Sequence, residues 1–412
     1  MKRFLFLLTA VCVWLPACGK LDREENLRSD EVAPLVPISL TKSDMAIRDA
    51  SNDFGLSIFQ QLYAASDGNV AFSPLSLSLA LAMAAEGAEG DTWRQFADVI
   101  GWDASTKEEV GAYYQKMLDG LIKADTNVLL SSANSFWASN TLPLKADYKS
   151  LLQRWFGAES YTVDFTQPAT LERINSWCSD KTDGKIPKML DKIDPKTALM
   201  LINALLFKAP WKLTWDIKSG REFTTAAGTK ARKDYLYVKD QRLTYGDFGD
   251  FELVRAPYGN GAYQMDIILP APGKTLAEVL PQVESGDINY NLQTSDVTLY
   301  LPKWSLDYST GDHLIPALKA RGLTLPFSGS QADFSGISQK PLFISQVLQK
   351  VRIDVTEKGT EFAAVTVIGM ESASAMPPVT PPRVTVDVNR PFAYTIREST
   401  SGTVLLLGTL SN

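Results

Sequence analysis

Histidine is nearly missing from this 412-residue chain: there is one, alongside three cysteines. A Ser-His-Asp site could therefore use only His313, and zinc or haem ligation has little to draw on. His313 lies in GDHLIPALKARG, on a helical pattern with Leu314 and Leu318, where a solvated or capping role accounts for it. No G-x-S-x-G elbow occurs, and an S-x-x-K at Ser39 and Lys42 lacks S-D-N or K-T-G partners. Lys/Arg runs are absent and the net charge is −6, which argues against nucleic acid as a partner. The 26 glycines follow no repeat, excluding collagen and solenoids. No apolar run is long enough to span a bilayer. What is present is 45% hydrophobic residues, enough for a sizeable core of ordinary globular type. The expectation is a protein that is not an enzyme, with no metal and no cofactor.

Residues 1–18 read MKRFLFLLTAVCVWLPAC: a cationic start, an apolar run of about twelve residues and a small-residue exit. That run suits a signal peptide and is too short to span a bilayer. The Leu-x-Ala-Cys ending resembles a bacterial lipobox, with cleavage leaving an acylated Cys18. Two or more acyl chains anchor stably where one does not. The expected organisation is a signal peptide over 1–17, an acylated Cys and flexible tether over 18–43, and one domain over 44–412. The expected location is the bacterial cell envelope, on the outer membrane and surface-exposed. Of the two cysteines that survive such processing, Cys178 has helical neighbours Leu171 and Ile174 and reads as a buried structural thiol.

In the body, Phe54, Ile58 and Leu62 recur at helical spacing. Ser73 is a natural N-cap, Pro74 suits the first helical position, and Gly87 offers a stop. Between them the run is apolar all round, as in a central buried helix. Residues 197–207 alternate with apolar side chains on both faces, which predicts a strand covered on both sides. Further strands are expected over 264–269, 297–301, 342–356, 384–388, 392–397 and 404–407. No Pro/Gly/Ser-rich linker interrupts 44–412, so one mixed body is expected.

After the 342–356 pattern comes EKGTEFAAVTVIGMESASAMPPVTPPRVTVDVNRPF. From Thr360 to Ile368 there is good strand propensity and no proline. Alternation places Thr360, Phe362, Ala364, Thr366 and Ile368 on one face. This strand-competent stretch runs straight into a Ser/Met/Pro-rich segment, typical of an exposed loop. Such segments invite pairing with a free sheet edge.

These residues resemble the serpin family. The likeness rests on NVAFSPLSLSLALAMAAEGAEGDT, INSWCSDKTDGKIPKML with LMLINALLFKAPWKLTW, then ADFSGIS, EKGTEFAA, NRPFAYTIRE and GTVLLLGTL, in that order. It implies an α+β fold of three mixed β-sheets surrounded by about eight or nine helices, with an exposed reactive-centre loop. It implies a suicide-substrate inhibitor of serine proteases, with cysteine proteases as a second target class. The protease is trapped as an acyl-enzyme when the cleaved loop inserts into the central sheet. The alternative is a non-inhibitory binding or structural protein of the same fold, whose loop is a plain protease substrate.

Counting as the family counts, seventeen residues from Glu357 give a reactive bond between Ala373 and Ser374. The loop's longer proline-containing end leaves Met370, Glu371 and Ser372 as alternative bait residues. The hinge would be Glu357, Lys358, Gly359, Thr360, Glu361, Phe362, Ala363 and Ala364. Phe362 stands where inhibitors usually have Ala, an inward position where its ring must find space. The sheet-opening cluster would be Ser73, Ser76, Asn203, Gln349 and Trp211, with Gln349 in place of the family's His. A small bait residue implies an elastase-like or subtilisin-like target protease. The molecule is expected to be a monomer, touching a membrane only through its lipid.

Overall fold

In the computed structural model, residues 34–66, 68–284, 291–347, 349–360 and 381–412 are described. The helices are α1 (Lys42–Ala64), α2 (Pro74–Glu86), α3 (Gly90–Ile100), α4 (Lys107–Ala124), α5 (Ala146–Phe156), α6 (Pro168–Lys181), α7 (Leu276–Val279) and α8 (Leu314–Ala320). The strands are β1 (Ala71–Phe72), β2 (Leu129–Ser139), β3 (Glu159–Val163), β4 (Leu199–Pro210), β5 (Asp216–Thr224), β6 (Lys230–Asp247), β7 (Phe251–Pro257) and β8 (Tyr263–Pro270). They continue as β9 (Gln293–Pro302), β10 (Trp304–Ser309), β11 (Lys350–Thr356), β12 (Gly359–Thr360), β13 (Arg383–Asp387), β14 (Phe392–Glu398) and β15 (Val404–Leu410).

One sheet has the order β10-β11-β12-β4-β2-β3. The remaining nine strands of this α+β fold are hydrogen-bonded in one continuous sheet, in the order β1-β15-β14-β8-β7-β6-β9-β13 with β5 on β6 off that path, so the two further sheets that the likeness implies run into each other through β6. The first part of β6 pairs with β5, Tyr235 to Tyr245 pair with β9, and Thr244 to Asp247 pair with β7. Its register against β9 shifts between Val238 and Gln241, beside Asp240 at φ 48°. A register shift of this kind bends the strand and increases its local twist.

Local chemistry sets the helix that matters most. Ser73 caps α2 through its Oγ on the Ser76 N–H (3.1 Å), Pro74 follows, and Gly87 ends it. Leu75, Leu77, Leu79, Leu81 and Met83 are all buried, each contributing about 1.5–3 kcal/mol of burial. The predicted central helix is therefore present. β4 is covered on both faces, as its alternation requires. Ile202 and Ala204 pack with Trp137, Ile174 and Trp177 under α6, while Leu199, Leu201, Leu205 and Phe207 face the main core around α2. Cys178 is 1% exposed and burial pushes its thiol up to about 12, as a structural thiol would be.

Two expectations need correction. The tether does not extend to residue 43. The Val36 N–H reaches the Ala124 carbonyl at 3.4 Å, Ile38 is buried and bonds Thr400 Oγ1 through its N–H at 2.9 Å, and Thr41 caps α1 with Asp44. The chain from Val36 onward is docked because Ile38 fills a space against Gly120 of α4. The strand expected over 342–356 begins only at Lys350. Upstream, the Ile344 N–H bonds the Pro326 carbonyl at 2.8 Å, so this backbone is satisfied outside the ladder. The signal peptide over 1–17 and Cys18 lie outside the described residues.

Candidate functional site

Among the described residues, the six-stranded sheet has a slot beside β4 that no full strand fills. β4 pairs along its length with β2. On its other side, among the described residues, only Ala209 and Pro210 have a strand partner. That partner is β12, two residues long, wedged between β4 and β11. An open edge in the middle of a sheet leaves donors and acceptors ready for another strand.

At the head of the slot the chain leaves β11, turns through Glu357 and Lys358, and comes back into the sheet at Gly359. Gly359 has φ +144°, and a Cβ there would lie 2.1 Å from the Ala209 carbonyl oxygen; only glycine fits this close approach. Thr360 is 4% exposed. Its Oγ1 lies 2.6 Å from the Tyr258 hydroxyl. The Tyr258 ring stacks on Trp211, with centroids 4.2 Å apart and planes at 12°. The Trp211 indole donates to the Thr356 carbonyl at 2.8 Å. Glu357 pairs with Lys303 at 2.7 Å, and that ammonium holds its carboxyl below the usual range. Trp211 thus braces both arms of the turn, while Tyr258 fixes Thr360 inside.

Deeper in the slot, Gln349 ties three elements together. Its Oε1 accepts the Ser73 N–H at 2.7 Å, and its Nε2 donates to the Ser73 carbonyl at 3.0 Å. Its backbone N–H donates to Thr310 Oγ1 at 2.8 Å. A glutamine amide satisfies both Ser73 backbone groups, a donor and an acceptor at once. Asn203 lines one cavity with Ser76 and Gln349, but its amide bonds to the neighbouring strand. Its Nδ2 donates to Ser132 Oγ (3.0 Å) and Asn134 Oδ1 (2.8 Å), both on β2, and its buried Oδ1 has no hydrogen-bond partner among the described residues. Of the five expected cluster residues, Ser76, Asn203 and Gln349 line one cavity, Ser73 bonds Gln349 and Ser76 beside it, and Trp211 lies at the slot's head.

Of the hinge residues, Glu357, Lys358, Gly359 and Thr360 are placed. Glu361, Phe362, Ala363 and Ala364 lie outside the described residues, as do the alternative bait residues Met370, Glu371 and Ser372 and the Ala373–Ser374 bond. The sequence reading missed Tyr258, Lys303 and Thr310. Each acts across 39 or more positions of chain, and no local pattern marks such partners. Tyr258→Phe removes the hydroxyl that holds Thr360. Hydrogen exchange over residues 356–360 is expected to quicken about fivefold, the equivalent of one net hydrogen bond; unchanged exchange would show that this contact does not hold the hinge.

A family model described as Serpin (serine protease inhibitor) matches residues 49–412. Iripin-8 of Ixodes ricinus is 33% identical over 393 residues, 92% of this chain and 96% of that protein. The leukocyte elastase inhibitor of Equus caballus is 29% identical, covering 88% of this chain and 98% of its own. The native state of Tengpin, a thermophilic serpin, superposes with a TM-score of 0.78 at 27% identity, over 93% of this chain and 97% of that one. With that match over most of its length, and with the sheet and helix arrangement described above, the chain belongs to the serpin family.

Proposed function

We propose that this serpin inhibits serine proteases, and cysteine proteases by the same acyl chemistry, as a suicide substrate. The observation that carries the reading is β12: Gly359–Thr360 already occupies the first two positions of the missing strand, with the β4 edge unpaired below it among the described residues. A chain that starts inside the slot needs no new nucleation to continue down it.

In the proposed reaction, the protease nucleophile attacks the Ala373 carbonyl, and the bond to Ser374 breaks with the Ser374 amine leaving. The acyl-enzyme would normally be hydrolysed by water. Here the freed segment extends the strand begun at Thr360 and carries the protease with it. Residues 358–373 would span about 50 Å at about 3.3 Å per residue. The protease's catalytic groups are deformed at the far end, and a displacement of about 1 Å can slow a reaction about 100-fold. Continuing the alternation from buried Thr360, Ala364 and Thr366 would point inward, and both are small enough to fit beneath a new strand.

The small bait residue and the likeness to an elastase inhibitor support an elastase-like target, with subtilisin-like proteases as the second candidate. Cys18, acylated, would tether the inhibitor to a bacterial outer membrane. A panel of elastase-, subtilisin- and trypsin-like proteases, run on denaturing gels, tests the proposal. The expected result is a boiling-resistant band at the summed mass with elastase- or subtilisin-like enzymes. Cleavage without that band, for every enzyme, would point instead to a non-inhibitory protein of the same fold.

A further inference from the structure

Tyr258, whose hydroxyl meets Thr360 in the sheet, sits on a turn that is itself fastened to the end of α4. The fastening is Asp125, the residue that follows α4, which is buried. Its Oδ2 accepts the Asn260 N–H at 2.7 Å, and its Oδ1 accepts the Asn127 N–H at 2.8 Å. The carboxylate lies where only a glycine leaves room for it: Gly259 has φ +43°, and a Cβ there would lie 2.0 Å from Asp125 Oδ2. Two more bonds across this contact serve the last turn of α4, whose carbonyls have no partner within the helix. Asn260 Nδ2 donates to the Ala124 carbonyl at 3.1 Å, and the Tyr263 hydroxyl donates to the Leu121 carbonyl. On its other side the turn is held by the Gly259 N–H on the Pro210 carbonyl at 2.8 Å, next to the bridge between Trp211 and Tyr258. An unbroken run of contacts therefore leads from the end of α4 through Asp125, Asn260 and Gly259 to Tyr258 and Thr360.

We propose that Asp125 is a positioning residue for the slot's head: its carboxylate fixes the Gly259–Asn260 turn, the turn fixes Tyr258, and Tyr258 keeps Thr360 at the first position of the missing strand. Without that carboxylate the Asn260 and Asn127 N–H groups lose their acceptor, and the turn relaxes away from α4 to find another. The Tyr258 hydroxyl then no longer stands 2.6 Å from Thr360 Oγ1. The hold on the hinge follows from this geometry alone. Its consequence for trapping rests on the inhibitory reading: a strand that must first re-enter the sheet inserts later, and more acyl-enzyme is lost to water.

The test compares hydrogen exchange in the full chain with that in Asp125→Ala, Tyr258→Phe and the double variant. Asp125→Ala is expected to quicken exchange over residues 356–360 about fivefold, as Tyr258→Phe does, and to leave β14 and β15 unchanged. The double variant is expected to stay at about fivefold, because both changes act through one hydroxyl. A merely structural role reads differently: general loosening would quicken β14 and β15 too, and independent effects would multiply to about 25-fold over 356–360. Either of those results, or wild-type exchange over 356–360 in Asp125→Ala, overturns the assignment. Gly259→Ala, whose Cβ displaces the carboxylate from the other side, is expected to give the same change. It decides the matter if Asp125→Ala does not fold, and wild-type exchange over 356–360 in Gly259→Ala overturns the assignment as well. With a protease that wild type traps, Asp125→Ala is expected to raise the ratio of cleaved inhibitor to covalent complex about fivefold. An unchanged ratio beside quickened exchange overturns the role in trapping and leaves the hold on the hinge. If wild type traps no protease at all, the inhibitory reading fails, while the exchange experiment still decides what Asp125 holds.

Discussion

Under the proposed inhibitory mechanism, Thr360→Arg is expected to turn a trap into a plain substrate, with covalent complex falling about 100-fold relative to cleaved product. Thr360 sits between β4 and β11, 4% exposed, with its hydroxyl on Tyr258. An arginine cannot keep that position without burying an unpaired guanidinium, a penalty of several kcal/mol. The uncleaved protein escapes by withdrawing two residues from the sheet, losing a few ladder bonds. The cleaved form has no such escape, because every later residue of the inserting strand depends on the first. Insertion is delayed, water completes deacylation, and the protease leaves intact. A denaturing gel of the variant with a protease that wild type traps reads this directly. Covalent complex at wild-type yield would show that Thr360 is not on the inserting path.

The second large effect lies at the other end of α2. Glu86 is the last residue of that helix, 8% exposed. Burial pushes its carboxyl up to about 7, Lys107 opposes the shift and Glu108 adds to it. The folded protein therefore prefers this group protonated. Its stabilising contribution is full below the unfolded value near 4.5 and is lost as pH rises through about 7. At 1.36 kcal/mol per unit, a shift from 4.5 to about 7 amounts to about 3 kcal/mol. Glu86→Gln, which stays neutral, is expected to be more stable than wild type at pH 8 by up to about 3 kcal/mol and close to it at pH 4. Denaturant melts of both proteins at the two pH values measure the difference. A wild-type and variant pair with parallel pH profiles would show that Glu86 is solvated in the folded protein.

Where a signal was local, the sequence displayed the structure. Ser73, Pro74 and Gly87 delimit α2 as their types require. The alternation of β4 places Ile202 and Ala204 under α6 and Leu199 and Leu201 over α2. Thr360 is buried, while the other residues that the alternation groups with it lie outside the described residues. What could not be read depends on contacts between distant parts of the chain. The pattern over 342–356 is continuously strand-like, yet only its second half pairs, since the Ile344 N–H finds the Pro326 carbonyl instead. The family likeness groups Asn203 with Ser73, and no local pattern shows that its amide turns to Ser132 and Asn134 on the adjacent strand. Ile38 looked like tether because nothing in its neighbours reveals the space beside Gly120 that it fills. Tyr258 lies in a Gly-rich turn, 102 positions from the threonine it holds.

The central claim is that cutting the segment after Thr360 lets it complete the six-stranded sheet. Limited proteolysis by an elastase- or subtilisin-like enzyme, followed by thermal melting of the purified nicked protein, tests it most directly. A strand inserted along the unpaired β4 edge predicts a melting temperature higher by roughly 10 °C or more. It also predicts that residues 361–373 resist a second protease. A nicked protein that melts where the intact one does, with those residues still open to digestion, would contradict the account.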